Sequence, residues 1–318
     1  MQRICTATKR RIAYSTLVIV VLAMTMTAGC TGIDRNPPKD GISVAVTIPP
    51  QAEMVREIGG DRVDVVVMVP PGSDPHTYEP EPALVAKAAK ADLYVTIGTG
   101  LLPVEDALVA RLKAMNPGLL VVDSSNGITY LYPSGENEGT GIGFLGEMPV
   151  EGNDRGPQSP DPHIWLSLRN AGIMAENTRD ALIRADPAYE NEYREHCDNY
   201  TSRLQDLDRR INATFSRSHP GMILVTHQAW DYFARDYHLD FVAIEKEGKE
   251  PTVKDLASFI LLARSHGIRV VFSEAQESSR EAETIAGEIG GTVRVLDPLA
   301  GDYLANMERV AEAFAEEV

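Results

Sequence analysis

The chain has few of the residues that staple, stack or bind phosphate. Among 318 residues there are three cysteines, Cys5, Cys30 and Cys197, and two tryptophans. Cys5 lies in an N-terminal leader and Cys30 at its edge, so Cys197 is left alone and the processed chain has no internal disulfide. Basic residues are outnumbered, 30 Lys plus Arg against 46 Asp plus Glu. That balance argues against nucleic acid as a partner, because phosphate binding needs a basic surface. There is no G-x-x-x-x-G-K-[ST] phosphate loop, no H-E-x-x-H helix and no G-x-S-x-G elbow. Aromatics make up only 6%, yet 43% of residues are hydrophobic, which suffices for a substantial core.

The one long apolar run sits at the start. Arg3, Lys9, Arg10 and Arg11 precede an uncharged stretch that ends in Ala28-Gly29-Cys30. This is the pattern of a secretory signal, residues 1–29. The Thr27-Ala28-Gly29-Cys30 run resembles a lipoprotein processing site, with Thr where Leu is usual. Cys30 is the expected lipidation site, residues 30–41 the expected tether, and the bulk of the chain is expected outside the cytoplasm, held to the membrane by its lipid.

From residue 42 onward the chain repeats a strand-loop-helix pattern. Strands are expected at 42–48, 63–69, 93–97 and 119–122, with helices at 51–58, 81–91 and 104–115 between and after them. The apolar runs lack polar alternation, which suits strands covered on both faces. A second set follows, with strands at 222–225, 241–244, 268–272 and 293–296. Between the sets, helical spacing of Tyr193, Cys197, Tyr200, Leu204, Leu207 and Ile211 predicts a helix of roughly 40 Å. The expected organisation is an N-terminal α/β lobe at 42–186, a long linking helix at 187–217 and a C-terminal α/β lobe at 218–318. The sheets are expected to be mostly parallel. Residues 126–160 are rich in Gly and acids without histidine and read as an exposed loop, able at most to steer cations weakly by charge.

Histidine is scarce, seven in all. His76 and His163 each follow Asp-Pro, and His227 ends an apolar strand. Asp297 closes another strand. Loops at strand ends are where open α/β folds bind ligands. Three imidazoles and a carboxylate suit a four-coordinate transition ion. Asp74, Glu79 and Glu274 are candidates to hold the imidazole N–H groups. Ligands from both halves would couple binding to closure of the lobes. A zinc hydrolase is the competing class, with Glu274 as its base, but a full His₃Asp set leaves no open position for water. A surface adhesin is a third class, and it leaves the four loops unexplained.

The motifs carry a family resemblance over residues 42–318. They are Pro71-Gly72-Ser73-Asp74-Pro75-His76-Thr77-Tyr78-Glu79-Pro80, Asp161-Pro162-His163-Ile164-Trp165-Leu166 and His227-Gln228-Ala229-Trp230-Asp231-Tyr232-Phe233. Gly248-Lys249-Glu250-Pro251-Thr252, Phe272-Ser273-Glu274-Ala275-Gln276 and Leu296-Asp297-Pro298-Leu299 follow. In this order they resemble the ZnuA-like solute-binding lipoproteins of zinc and manganese ABC importers. The resemblance implies two α/β lobes joined by one long helix, with a metal in the cleft between them. It also implies His76, His163, His227 and Asp297 as ligands; a non-catalytic carrier that delivers metal to a membrane permease, acting as a monomer, is the accompanying expectation. Manganese-type relatives usually have Glu at the third position; His227 there favours Zn²⁺, with Mn²⁺ or iron as the alternative. Many zinc-type relatives carry a His-rich loop, and its histidines are missing from 126–160.

Overall fold

The computed structural model describes residues 41–132, 159–218, 221–245 and 251–316. The signal, the tether with Cys30, the middle of the acidic loop and the Gly248-Lys249-Glu250 run lie outside them. The first half contains β1 (Ile42–Val46), α1 (Pro49–Gly59), β2 (Val63–Val67), α2 (Pro82–Ala88), β3 (Leu93–Thr96), α3 (Pro103–Met115) and β4 (Leu120–Asp123). Two helices follow, α4 (Leu168–Ala185) and α5 (Glu190–Ser218). The second half contains β5 (Ile223–Val225), α6 (Asp231–Tyr237), β6 (Phe241–Ala243), α7 (Val253–His266), β7 (Val270–Glu274), α8 (Arg280–Ile289), β8 (Thr292–Leu296) and α9 (Tyr303–Ala315).

The strands form two four-stranded sheets, ordered β2-β1-β3-β4 and β6-β5-β7-β8. Every pairing in both is parallel. The two-lobed α/β architecture expected from the sequence is therefore the one observed. Each sheet has a switch point beside its central strand, so loops diverge at the carboxyl edge and leave room for a ligand.

Side-chain alternation along each strand divides the core into layers. Val44 and Val46 of β1, Leu93 and Val95 of β3, Ile223 and Val225 of β5, and Val270 and Phe272 of β7 all belong to one central cluster. Their neighbours Ala45 and Tyr94 face the opposite way, into a cluster roofed by α2 and α3. Leu224 and Val271 do the same in the second sheet, under α7 and α8. The central cluster takes in the apolar stripe of α5, from Tyr193 to Phe215, together with α4 and α9. One continuous core thus runs from the first sheet to the second.

α5 has 29 residues and starts after a short 3-10 turn at Pro187–Tyr189. Its buried residues recur every three or four positions, the spacing of a single helical face. Cys197 is one of them, buried with Sγ 3.7 Å from the Ala175 carbonyl, a packing role. Among the described residues no helix is long and apolar enough to cross a membrane.

Candidate metal centre

Three turns of the same kind shape the site, and each is an Asp-Pro pair. In the loop after β2, Asp74 Oδ1 accepts from His76 N at 2.8 Å, and Asp74 Oδ2 from the Thr77 hydroxyl at 2.7 Å. Before α4, Asp161 Oδ1 accepts from His163 N at 3.0 Å. After β8, Asp297 Oδ1 accepts from Leu299 N at 2.9 Å. In each case an Asp side chain closes a turn onto the amide two residues on, and proline fixes the backbone between. Gly72, at φ +80, lets the first loop double back before Asp74. His227 arrives by a different route, one residue beyond Thr226 at the end of β5.

These elements bring the three imidazoles together. His163 Nε2 lies 3.2 Å from His76 Nε2 and 3.4 Å from His227 Nε2. The ring centroids are 5.2 to 5.5 Å apart. One nitrogen from each lies within 4.8 Å of the others, close enough for a single ion to bind all three. The residues lining this pocket include Asp74, Trp165, Glu274, Gln276, Glu277 and Leu299.

The second nitrogen of two of these rings is held by carboxylates. His163 Nδ1 donates to Asp161 Oδ1 at 2.7 Å, which fixes the neutral tautomer with Nε2 free to bind a cation. Burial drives the pKa of His163 well below its ordinary value, and the charge of His227 pushes the same way. His76 falls to about 4, through desolvation and then the two neighbouring imidazoles. His227 differs. Burial opposes its charged form, but its hydrogen bond to Glu245 and the charges of Glu274 and Glu277 outweigh that and raise it to about 9. Two ligand-ready bases thus face a third that carries a proton for a cation to displace.

The other residues singled out from the sequence are placed as follows. Asp297 is not in the histidine group. Its Oδ1 is taken by the Leu299 amide and by Gln276 Nε2 at 2.6 Å. Asp74 shapes the His76 loop by accepting from the His76 amide and the Thr77 hydroxyl. Glu79 is exposed and does not line the pocket. Glu274, last residue of β7, is buried at the pocket wall, and burial pushes its pKa up to about 8. Asp161, Glu245 and Glu277 are partners of the imidazoles that were not expected from the sequence. Asp161 had a visible signal, since it stands before Pro162-His163 as Asp74 stands before Pro75-His76.

Bonds within the frame lock the His163 segment to the second half. Trp165 Nε1 donates to the Pro298 carbonyl at 2.9 Å, and Tyr303 donates to the Trp165 carbonyl at 2.5 Å. The Tyr232 hydroxyl donates to the Asp161 carbonyl at 3.0 Å. Ser167 caps α4 by accepting from Asn170 N, and its hydroxyl donates to buried Asp236.

Comparison with known proteins follows the same lines. Residues 44–317 match the family described as zinc-uptake complex component A, periplasmic (ZnuA). The chain is 28% identical over 295 residues to the high-affinity zinc uptake system protein ZnuA of Bacillus subtilis, covering 91% of this chain and 89% of that one. A crystal structure of ZnuA superposes with a TM-score of 0.77 at 34% identity, covering 87% of this chain and 99% of the other. A zinc-bound ZnuA deletion mutant gives 0.75 at 35% identity, covering 87% and 98%.

Proposed function

We propose, because the chain belongs to the ZnuA family of periplasmic zinc-uptake components, that it captures Zn²⁺ outside the cytoplasm and hands it to an ABC-type importer in the membrane. His76, His163 and His227 are the donors in this reading, and the observation that carries it is the convergence of their Nε2 atoms on one point. An all-nitrogen triad suits Zn²⁺ better than the harder Mn²⁺, which prefers oxygen. Asp297 is proposed as the fourth donor through Oδ2, since Oδ1 closes its own turn. The ion is cargo, so the site needs to hold and release it, not to activate water. Lipidated Cys30 is the proposed membrane anchor, the permease the proposed partner, and one copy of the chain the proposed functional unit.

The test is a calorimetric titration of the stripped, processed chain with Zn²⁺ and with Mn²⁺, followed by competition between them. One tightly held Zn²⁺ per chain that Mn²⁺ does not displace is the expected result. Absence of zinc binding would sink the carrier reading, and equal or better retention of Mn²⁺ would sink the choice of metal.

A further inference from the structure

Gln276 touches both the histidine pocket and Asp297. It lines the pocket, and its Nε2 donates to Asp297 Oδ1 at 2.6 Å. The register of the second sheet sets this pairing. Glu274 and Leu296 are partners across β7 and β8, and Ala275 N extends the ladder by donating to the Leu296 carbonyl at 2.9 Å. Gln276 and Asp297 therefore leave the sheet from neighbouring strands at its carboxyl edge. The other end of the amide, Oε1, is buried with no hydrogen-bond partner. The amide is thus ordered through Asp297 and not through a polar network of its own. Asp297 is fixed from its main chain as well, with Asn306 Nδ2 donating to its carbonyl at 2.7 Å.

The consequence lies in how many oxygens Asp297 can offer. A carboxylate oxygen has two lone-pair sites. At Oδ1 the Leu299 amide takes one, at 2.9 Å, and Gln276 takes the other. Oδ2 has no hydrogen bond among the described residues, so a cation meets Asp297 through that single oxygen. Three imidazole nitrogens and one oxygen make the tetrahedral set that Zn²⁺ takes. Mn²⁺ suits octahedral sites of oxygen donors. A second oxygen from Asp297 would add a donor of the kind that Mn²⁺ prefers. A neutral amide is also the right group at this position. It gives an N–H without the positive charge of Lys or Arg, which would repel a cation from the pocket.

We propose that Gln276 is a specificity-determining residue: by occupying Oδ1 of Asp297 it limits that carboxylate to one oxygen, keeps the site at four donors and so disfavours Mn²⁺. It acts through Asp297 and is a positioning residue, not a ligand. This role rests on the reading of His76, His163, His227 and Asp297 as the donors for Zn²⁺.

The test is competition of Zn²⁺ against Mn²⁺ on the processed chain, with circular dichroism to confirm folding. Gln276→Met keeps the length and bulk of the side chain but has no N–H. It is expected to narrow the preference for Zn²⁺ over Mn²⁺ by about 10-fold, the scale of effect for partners of metal ligands, chiefly by tightening Mn²⁺. In an Asp297→Ala background the same substitution is expected to leave the ratio unchanged, because the carboxylate it acts on is gone. Equal loss of affinity for both ions, or an undiminished effect beside Asp297→Ala, overturns the role of Gln276. X-ray absorption on the unaltered, zinc-loaded chain needs no variant. Three nitrogens and one oxygen around the metal are expected, and a second carboxylate oxygen overturns the proposal. An unaltered chain that prefers Mn²⁺ sinks the zinc reading and this role together. A chain that prefers Zn²⁺ equally with and without the Gln276 amide loses this role alone.

Discussion

Oδ1 of Asp161 accepts from both the backbone N–H and the ring Nδ1 of His163, at 3.0 and 2.7 Å. One oxygen thus sets the turn and the tautomer together. Asp161 is itself buried, its other oxygen has no hydrogen-bond partner, and burial raises its pKa to about 7. Asp161→Asn keeps the size and one acceptor but presents no charge to the imidazole. Zinc affinity is expected to fall about 10- to 100-fold with the fold intact, as for other partners of ligating histidines. Chelator-competition titration with circular dichroism checks it, and an unchanged affinity would show that backbone geometry alone positions the ring.

Zinc should stabilise the folded chain, since the three imidazoles converge only there. At free zinc near 1,000 times its Kd the gain is about 4 kcal/mol. Thermal unfolding with zinc and with excess chelator measures this. His163→Ala is expected to lose most of the zinc-dependent shift in Tm, and retention of the full shift would place the main zinc site elsewhere.

Glu105 gives a pH dependence that does not involve the metal. It is buried in α3, accepting from Ile97 N at 2.7 Å, from Gly98 N at 3.0 Å and from the Thr47 hydroxyl. Burial outweighs those bonds and raises its pKa to about 7, from 4.5. The folded chain therefore holds a proton that the unfolded chain releases over that interval. Stability is expected to decline as pH rises from about 4.5 to about 7, by at most about 1.4 kcal/mol per pH unit from this group. Urea unfolding of the metal-free chain across that range checks the slope. Glu105→Gln loses the Gly98 acceptor and should lower stability overall while flattening the slope; an unflattened slope would assign the pH dependence to other groups.

Gly291 sits where β8 begins. A Cβ there would lie 2.1 Å from the backbone oxygen of Arg269, the same oxygen that accepts from Thr292 N. Gly291→Ala must displace the start of β8 from β7 and is expected to cost about 1–3 kcal/mol. A change under about 0.5 kcal/mol in urea unfolding would mean that this edge yields more easily than its geometry implies.

Much of this frame was legible in the sequence. The long helix was expected at 187–217 and runs Glu190–Ser218, because a face of Tyr, Cys, Leu and Ile every three or four residues leaves little alternative. The first strand, expected to reach 48, ends at Val46, since Pro49 and Pro50 open α1. The Asp-Pro-His repeats also showed in the sequence. Asp-Pro-Leu at 297–299 shares the pattern, and its Asp closes the same turn with Leu where the others have His. Glu245 and Glu277 stayed hidden. Their closeness to His227 depends on β6 and β7 flanking β5, a sheet order set by long-range pairing that local spacing does not reveal.

Binding by ligands from both halves suggests a hinge, but the continuous core makes a wide hinge expensive. Swinging one sheet away from α5 would expose apolar surface at about 25 cal/mol per Å², so even about 200 Å² would cost about 5 kcal/mol. On the proposed reading the donors are therefore held at nearly fixed spacing, as by a rigid gauge. Such a gauge discriminates between ions by radius and preferred bond length before any contact with a partner. In that reading release would need only small displacements of loops such as 70–80, so that disturbing one Asp-Pro turn would suffice to let the ion go.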